Sequence, residues 1–454
     1  MAAIPERSPH EAHHAWGGSW RTWAARLVLG AVVGVLAGLS SAVFLETLAW
    51  ATRTREANPW LIPLLPLCGL AIGAAYHYVG KDAAAGNNLV LDEIHEPSAW
   101  VPRRMAAMVL VGTIGTHLFG GSAGREGTAI QMAGSLTDGL DRLLHITGRE
   151  RRILLLAAIG GGFSAVFGVP FAGFAFALEV QAVGRLRWTA APVVAVAAVV
   201  GNAVVRALHV HHTPYPVVRI GSLDAALVGK VALAGVAFGL AAAAFAEATH
   251  RTKHLMARHL AWPPLRPVLG GIAVVALTLA VGDHSFADQT YNGLSIPLLE
   301  AALAGGVGVA AGAFALKGLF TVITLGTGFQ GGEVTPLFVI GATLGVTLGR
   351  VLDVPVPLMA ALGFVAVFAG ATKTPIACTV MGIELFGWEP AALFALACTV
   401  AFLASGTRGI YTAQRRRSWG FRHQPDEVAD LAAAAATTNA DVDGPTDDER
   451  GGAT

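Results

Sequence analysis

A run of twelve apolar tracts, several too short to cross a bilayer, limits most strongly what this chain can fold into. The tracts cover roughly 25–48, 61–79, 105–119, 129–140, 153–178, 189–208, 231–245, 268–281, 301–316, 337–348, 358–383 and 391–403. One straight helix needs ~18–20 residues to span the hydrocarbon core. The shorter tracts therefore predict tilted, broken or re-entrant segments, which are tolerated only where freed backbone is buried in protein or lines a cavity. That pattern belongs to a transporter or channel. Composition agrees, because 54% of the 454 residues are hydrophobic and 13% charged, against about 25% charged in soluble globular proteins. The chain reads as an all-α polytopic membrane protein with lipid as its partner, and a net charge of +1 gives no reason to expect nucleic acid.

Three regions follow from the same pattern. Residues 1–20 are a polar N-terminal segment without the apolar core and cleavage site of a signal peptide. Residues 21–415 hold the transmembrane transport domain. Residues 416–454 are a polar tail too poor in large apolar side chains to form a core, read as disordered and cytoplasmic. Arg415, Arg416 and Arg417, directly after the last tract, favour a C-terminus on the cytoplasmic side. Cys68, Cys378 and Cys398 sit in apolar tracts without ligand-like spacing and read as small buried hydrophobes, so neither a metal nor another cofactor is expected.

The domain repeats itself. Pro170 opens an apolar run that ends at Glu179, and Pro375 opens a run of the same length that ends at Glu384; an Ala-Val-Phe triplet precedes each, at 165–167 and 366–368. Glu126-Gly127-Thr128 has its counterpart in Glu333-Val334-Thr335. An offset of about two hundred residues predicts a duplicated half, about 21–215 and 225–415. Such symmetry, with glycine-interrupted segments at matching positions, points to a substrate site between the two repeats.

The chemistry lies at the starts of short helices. Gly86-Asn87-Asn88-Leu89-Val90, Gly124-Arg125-Glu126-Gly127-Thr128 and Gly331-Gly332-Glu333-Val334-Thr335-Pro336 each stand just ahead of a helical tract. A helix start carries unpaired N–H groups and the positive end of the macrodipole, which together attract an anion without a full positive charge. Gly406-Thr407-Arg408-Gly409-Ile410-Tyr411 adds a phenol that can donate to a desolvated anion. An ionisable side chain such as Glu126 inside a membrane tract marks a functional site by default, although a buried Arg125–Glu126 pair that only joins two helices is the structural alternative.

These motifs resemble those of the CLC family of chloride channels and proton-coupled anion antiporters. Gly124–Thr128 is similar to its G-[KR]-E-G-P motif and Gly331–Pro336 to its G-x-F-x-P motif. Gly86–Val90 stands where its G-S-G-I-P belongs, and Tyr411 where its pore tyrosine belongs, in the family's order from about residue 20 to 415. The resemblance implies a CLC-type inverted-topology repeat with broken and re-entrant helices, a homodimer with one anion pore per subunit, and Glu126 as the gating glutamate that carries protons. Gly127, Thr128, Val334 and Thr335 would bind the anion together with Asn87 and Tyr411.

Departures from the family pattern point to one branch. Asn87 replaces the central serine, Thr128 the proline, and Val334 the phenylalanine, beside an added Glu333. These variants resemble the fluoride/proton antiporter branch. Small, strongly hydrated fluoride requires dense hard donors, and an amide offers two N–H groups where serine offers one. Ionised, Glu333 would repel an anion, so it is protonated, belongs to the proton path, or pairs with a nearby cation. Glu179 matches the first residue of the internal Glu-Glu pair of chloride/proton exchangers, but Val180 occupies the second, so the usual internal proton relay is missing.

Other polar residues have plainer readings. Glu179 and Glu384 are expected to cap or pair at helix ends. His209, His211 and His212, and His10, His13 and His14, read as solvated segments rather than metal sites. Lys317 and Lys373 are expected to snorkel to an interface, or for Lys373 to sit near the anion entrance.

The expectation is a proton-coupled fluoride exporter in a bacterial inner membrane, with both termini cytoplasmic and chloride as a weaker substrate. It is a secondary active transporter and not an enzyme. A chloride/proton exchanger or passive chloride channel is the alternative within the class. A membrane-embedded enzyme using Glu126 or Glu333 is the alternative outside it, although no H-E-x-x-H, paired-Asp or Ser/His arrangement appears in the tracts.

Overall fold

The computed structural model describes residues 20–415 apart from Ser98, Ser222 and Asp283; the first histidine cluster and the tail after Arg415 lie outside the described residues. The described chain contains sixteen α-helices. The first eight are α1 (Trp20–Ala57), α2 (Leu65–Ala75), α3 (Asn87–His95), α4 (Arg104–Leu118), α5 (Glu126–Leu143), α6 (Gly148–Phe167), α7 (Pro170–Glu179) and α8 (Ala191–Ala207). The second eight are α9 (Ala225–His259), α10 (Leu265–Val281), α11 (Ile296–Leu303), α12 (Ala313–Gly326), α13 (Val334–Leu352), α14 (Val356–Thr372), α15 (Pro375–Phe386) and α16 (Ala391–Ala404). Five segments are long and apolar enough to cross a membrane: α1, the stretch Pro59–Ala85 that contains α2, the stretch Trp188–Ala207 that contains α8, α9 and α13. No strand forms among the described residues, only the isolated bridges Gly124 to Gly332 and Ala182 to Arg415.

Two tracts that read as continuous, 153–178 and 358–383, are each two helices, broken by the same device. A residue in the left-handed region ends the first helix, Gly168 (φ 77°) after α6 and Lys373 (φ 61°) after α14. A proline then opens the next helix, where its missing N–H costs little, at Pro170 and Pro375. Lysine lacks glycine's freedom there, and its ammonium anchors the turn by donating to Ser405 Oγ at 2.6 Å and the Gly406 carbonyl at 2.9 Å. Lys373 is therefore buried in the fold rather than extended to an interface.

At 10 and 12 residues, α7 and α15 cover roughly half of a ~30 Å hydrocarbon core. Their exposed first turns are satisfied by each other. Glu179, the last residue of α7, accepts from the N–H groups of Ile376 at 3.2 Å and Ala377 at 2.8 Å. Glu384, in the last turn of α15, accepts from Phe171 at 3.1 Å and Ala172 at 2.7 Å. Each carboxylate thus sits at the positive end of the other helix, in the capping role the sequence suggested.

The core is made by helices that are apolar all round. Every residue from Ile153 to Phe167 in α6 and from Leu358 to Thr372 in α14 is buried. Aromatic rings fill the space between them and their neighbours: Phe163 stacks on Phe176 at 4.5 Å and Phe338 on Phe364 at 3.9 Å. Where helices approach most closely the residues are small, as expected in membranes. Gly341 of α13 and Gly363 of α14 meet backbone to backbone, and Gly30, Gly34 and Gly38 of α1 face α8 with no room for a Cβ.

Candidate functional site

The starts of α5 and α13 are laid side by side by two backbone hydrogen bonds. Gly124 N–H donates to the Gly332 carbonyl at 2.6 Å and Gly332 N–H to that of Gly124 at 2.8 Å. The approach requires glycine, because a Cβ on Gly332 would lie 2.9 Å from the Gly127 nitrogen. First-turn N–H groups of both helices, which have no intrahelical acceptor, are thereby gathered in one place.

Glu126, the first residue of α5, is fully buried there. Its carboxylate accepts from the Thr335 N–H at 3.0 Å, from the Thr335 hydroxyl, and from the Arg125 N–H at 3.1 Å. The Arg125 guanidinium stands 3.5 Å away. The glutamate is therefore held mainly by another helix start, one that would otherwise present its donors to an anion. Val334, the first residue of α13, is buried beside Thr335.

Asn87 opens α3 behind Gly86, whose φ of 61° makes the sharp approach. Its amide faces α5, with Nδ2 2.8 Å from where a Cβ of Gly127 would be. Asn87, Leu91, Ile130, Phe176, Val180 and Tyr411 are among the residues that surround a cavity leaving ≈ 10 Å³ for the centre of a water-sized particle. About one such particle fits. Asn87 Oδ1 and the Tyr411 hydroxyl are both buried and without a hydrogen-bond partner, and buried polar groups seldom stay so unless something small and polar visits them.

Tyr411 is fixed by its own segment. Ile410 N–H donates to the Ala371 carbonyl at 2.9 Å, Ala413 N–H to Asn88 Oδ1 at 3.1 Å, and the Gln414 amide to Val180 and Thr372 carbonyls at 2.8 and 3.0 Å. The last motif and the first are thus sewn together around the cavity. Thr128 is placed differently from its neighbours: its hydroxyl lies 2.8 Å from that of Thr113 on α4, which leaves its first-turn N–H as the group it can offer. Glu333 precedes α13, half-buried, with its carbonyl accepting from the Leu337 N–H at 3.2 Å and its carboxylate in no hydrogen bond or ion pair among the described residues; the ion-pair reading is not realised.

Lys317 does not snorkel. It is fully buried in α12, because oxygens of Ser122, Tyr291, Gly293 and Ser295 solvate its ammonium inside the protein. The second histidine cluster divides: His209 and His211 are exposed, while His212 is half-buried with Nε2 2.9 Å from the Ala165 carbonyl.

Sequence reasoning missed the partners of the Gly120–Arg125 turn. Ser122 receives contacts from α12, its N–H donating to Thr324 Oγ1 at 3.1 Å and its Oγ lying 2.9 Å from Thr321 Oγ1. The available signal was the spacing of Lys317, Thr321 and Thr324, a polar stripe at i, i+4 and i+7 on an apolar helix.

The family described as voltage gated chloride channel matches residues 68–406. A protein of Pseudomonas syringae pv. tomato named chloride/fluoride channel protein is 47% identical over 404 residues, covering 88% of this chain and 89% of that protein. The H(+)/Cl(-) exchange transporter ClcA of Salmonella paratyphi A is 26% identical over 395 residues, covering 80% and 82%. Among solved structures, a CLC-type fluoride/proton antiporter superposes with a TM-score of 0.83 at 32% identity, covering 88% of this chain and all of the other. A slow cyanobacterial Cl-/H+ antiporter shares the fold with a TM-score of 0.72 at 20% identity, covering 85% and 96%.

Proposed function

The chain belongs to the voltage-gated chloride channel (CLC) family of membrane anion channels and transporters, and from that premise we propose that it is a proton-coupled fluoride exporter. The observation that carries the reading is the Glu126 carboxylate seated on the donors of Thr335. A carboxylate that holds an anion's place competes with the anion while ionised and releases the place when protonated. Alternating the two moves protons one way and anions the other.

Fluoride as the anion is supported by Asn87 and Val334 where chloride carriers of the family have serine and phenylalanine. It is supported too by similarity to a relative named for chloride and fluoride and to a fluoride/proton antiporter. Hydrogen fluoride crosses membranes as a neutral acid and ionises inside, so proton influx would drive the anion out. Chloride is the weaker substrate. Asn87, Gly127, Thr128, Val334, Thr335 and Tyr411 would bind the anion, and Glu333 would extend the proton path. The assembly we infer is a homodimer in a bacterial inner membrane, with both termini cytoplasmic and two inverted repeats, 21–215 and 225–415, meeting at the site.

Purified protein in liposomes tests this. Under a proton gradient, vesicles should expel fluoride and take up protons together, with chloride moving several-fold more slowly. Chloride moving as fast as fluoride would favour the chloride exchanger; anion flux without proton flux would favour a passive channel.

A further inference from the structure

Lys317 is fully buried, and no carboxylate pairs with it among the described residues. Its Nζ donates to Ser122 Oγ at 2.9 Å, the Gly293 carbonyl at 2.8 Å, Ser295 Oγ at 2.9 Å and the Tyr291 carbonyl at 3.3 Å. Two of these oxygens are carbonyls that only accept, and the three N–H groups of an ammonium suit the shell. The shell satisfies the hydrogen bonds but brings no negative charge.

Arg55, in the last turn of α1, repeats the pattern from the other side. It is also buried, donating to Gln289 Oε1 at 2.7 Å and to the His117 carbonyl at 3.1 Å. Its one ion pair among the described residues is with Glu56 at 3.4 Å, and that carboxylate is half exposed. Arg55 thus grips the end of α4 at His117 and Lys317 grips the following turn at Ser122, on the stretch that delivers Glu126 to the site. Arg55 and Lys317 flank the same residue, Gly293: a Cβ there would press on the Arg55 guanidinium, and the Gly293 carbonyl accepts from Lys317. Arg55 from α1 and His117 from α4 are the titratable groups near Lys317, and Tyr291 from the adjoining loop supplies one of its acceptors.

A buried cation without a counter-charge is costly, and a field not neutralised locally acts on the nearest mobile negative charge. We propose that Lys317 is a positioning residue for the transported anion. It fixes Ser122 ahead of Glu126, and its uncompensated charge raises anion occupancy where α5 and α13 begin. This rests on the reading that anions pass that point.

The experiment compares fluoride transport by wild type, Lys317→Met, Lys317→Arg and Ser295→Asp in liposomes. Ser295→Asp keeps the lysine but sets a carboxylate on its ammonium, and aspartate tolerates the left-handed backbone of that position (φ 58°). Lys317→Met and Ser295→Asp should each raise the half-saturating fluoride concentration several-fold, since a buried unit charge is only partly screened. The maximal rate of Ser295→Asp, which keeps the lysine, should stay near wild type, and Lys317→Arg should restore the wild-type concentration. If Lys317→Met does not fold, Ser295→Asp alone decides. Unchanged half-saturation in Ser295→Asp, or a lower maximal rate with unchanged half-saturation, would overturn the proposal and leave Lys317 a structural tie. Absence of anion flux in wild type would instead overturn the transport reading itself.

Discussion

The carboxylate of Glu126 rests on the first turn of α13, held by the backbone N–H of Thr335 at 3.0 Å and by the Thr335 hydroxyl. Two residues far apart in the chain thereby occlude the anion-attracting end of a helix with a side chain that can gain a proton. Glu126→Gln keeps the size and removes the charge that exchanges with a proton. It should abolish proton uptake in liposomes while leaving anion movement measurable. Proton flux equal to wild type would identify another carboxylate as the carrier.

Asn87 offers its amide beside Gly127, and hydrogen bonds to a charged group contribute about 1.5–3 kcal/mol. Asn87→Ser removes one donor, so the ratio of fluoride to chloride flux should fall about tenfold or more. An unchanged ratio would place selectivity in the backbone donors instead.

Glu333 stands at the start of α13 with its carboxylate uncommitted. Glu333→Gln should reduce the number of protons moved per fluoride while fluoride flux persists. Equal stoichiometry in simultaneous proton and fluoride recordings would remove Glu333 from the proton path.

The reciprocal caps predict stability rather than transport. Glu179→Ala strands two N–H groups at the start of α15, and Glu384→Ala strands two at the start of α7. Each should destabilise the protein by about 1–3 kcal/mol, with Glu179 the larger because it is the more buried. Thermal unfolding in detergent measures this, and equal midpoints for both variants and wild type would show that the caps contribute nothing.

Gly341→Ala would drive a methyl group into the Gly363 backbone, where neither helix can yield. Overpacking of this kind costs about 3 kcal/mol, seen as a lower unfolding midpoint or loss of the folded fraction. Gly318→Ala on α12 is the control, since its nearest neighbour would be Ile340 Cδ1 at an ordinary 3.7 Å. Similar behaviour of the two variants would refute the close-packing account.

The membrane character, the broken helices and the helix starts at Asn87, Glu126 and Val334 were legible in the one-dimensional pattern, because tract length, glycine and proline placement, and misplaced charges are local properties. The capping role of Glu179 and Glu384 was legible for the same reason: both end short apolar runs. What tertiary structure alone decided is which donor meets which acceptor. Lys317 looked like an interfacial lysine until Ser122, Tyr291, Gly293 and Ser295 were found around it, and nothing in the sequence set the Thr128 hydroxyl across from that of Thr113. A buried polar group is governed by the partners that replace water, and those partners come from helices brought together only by folding.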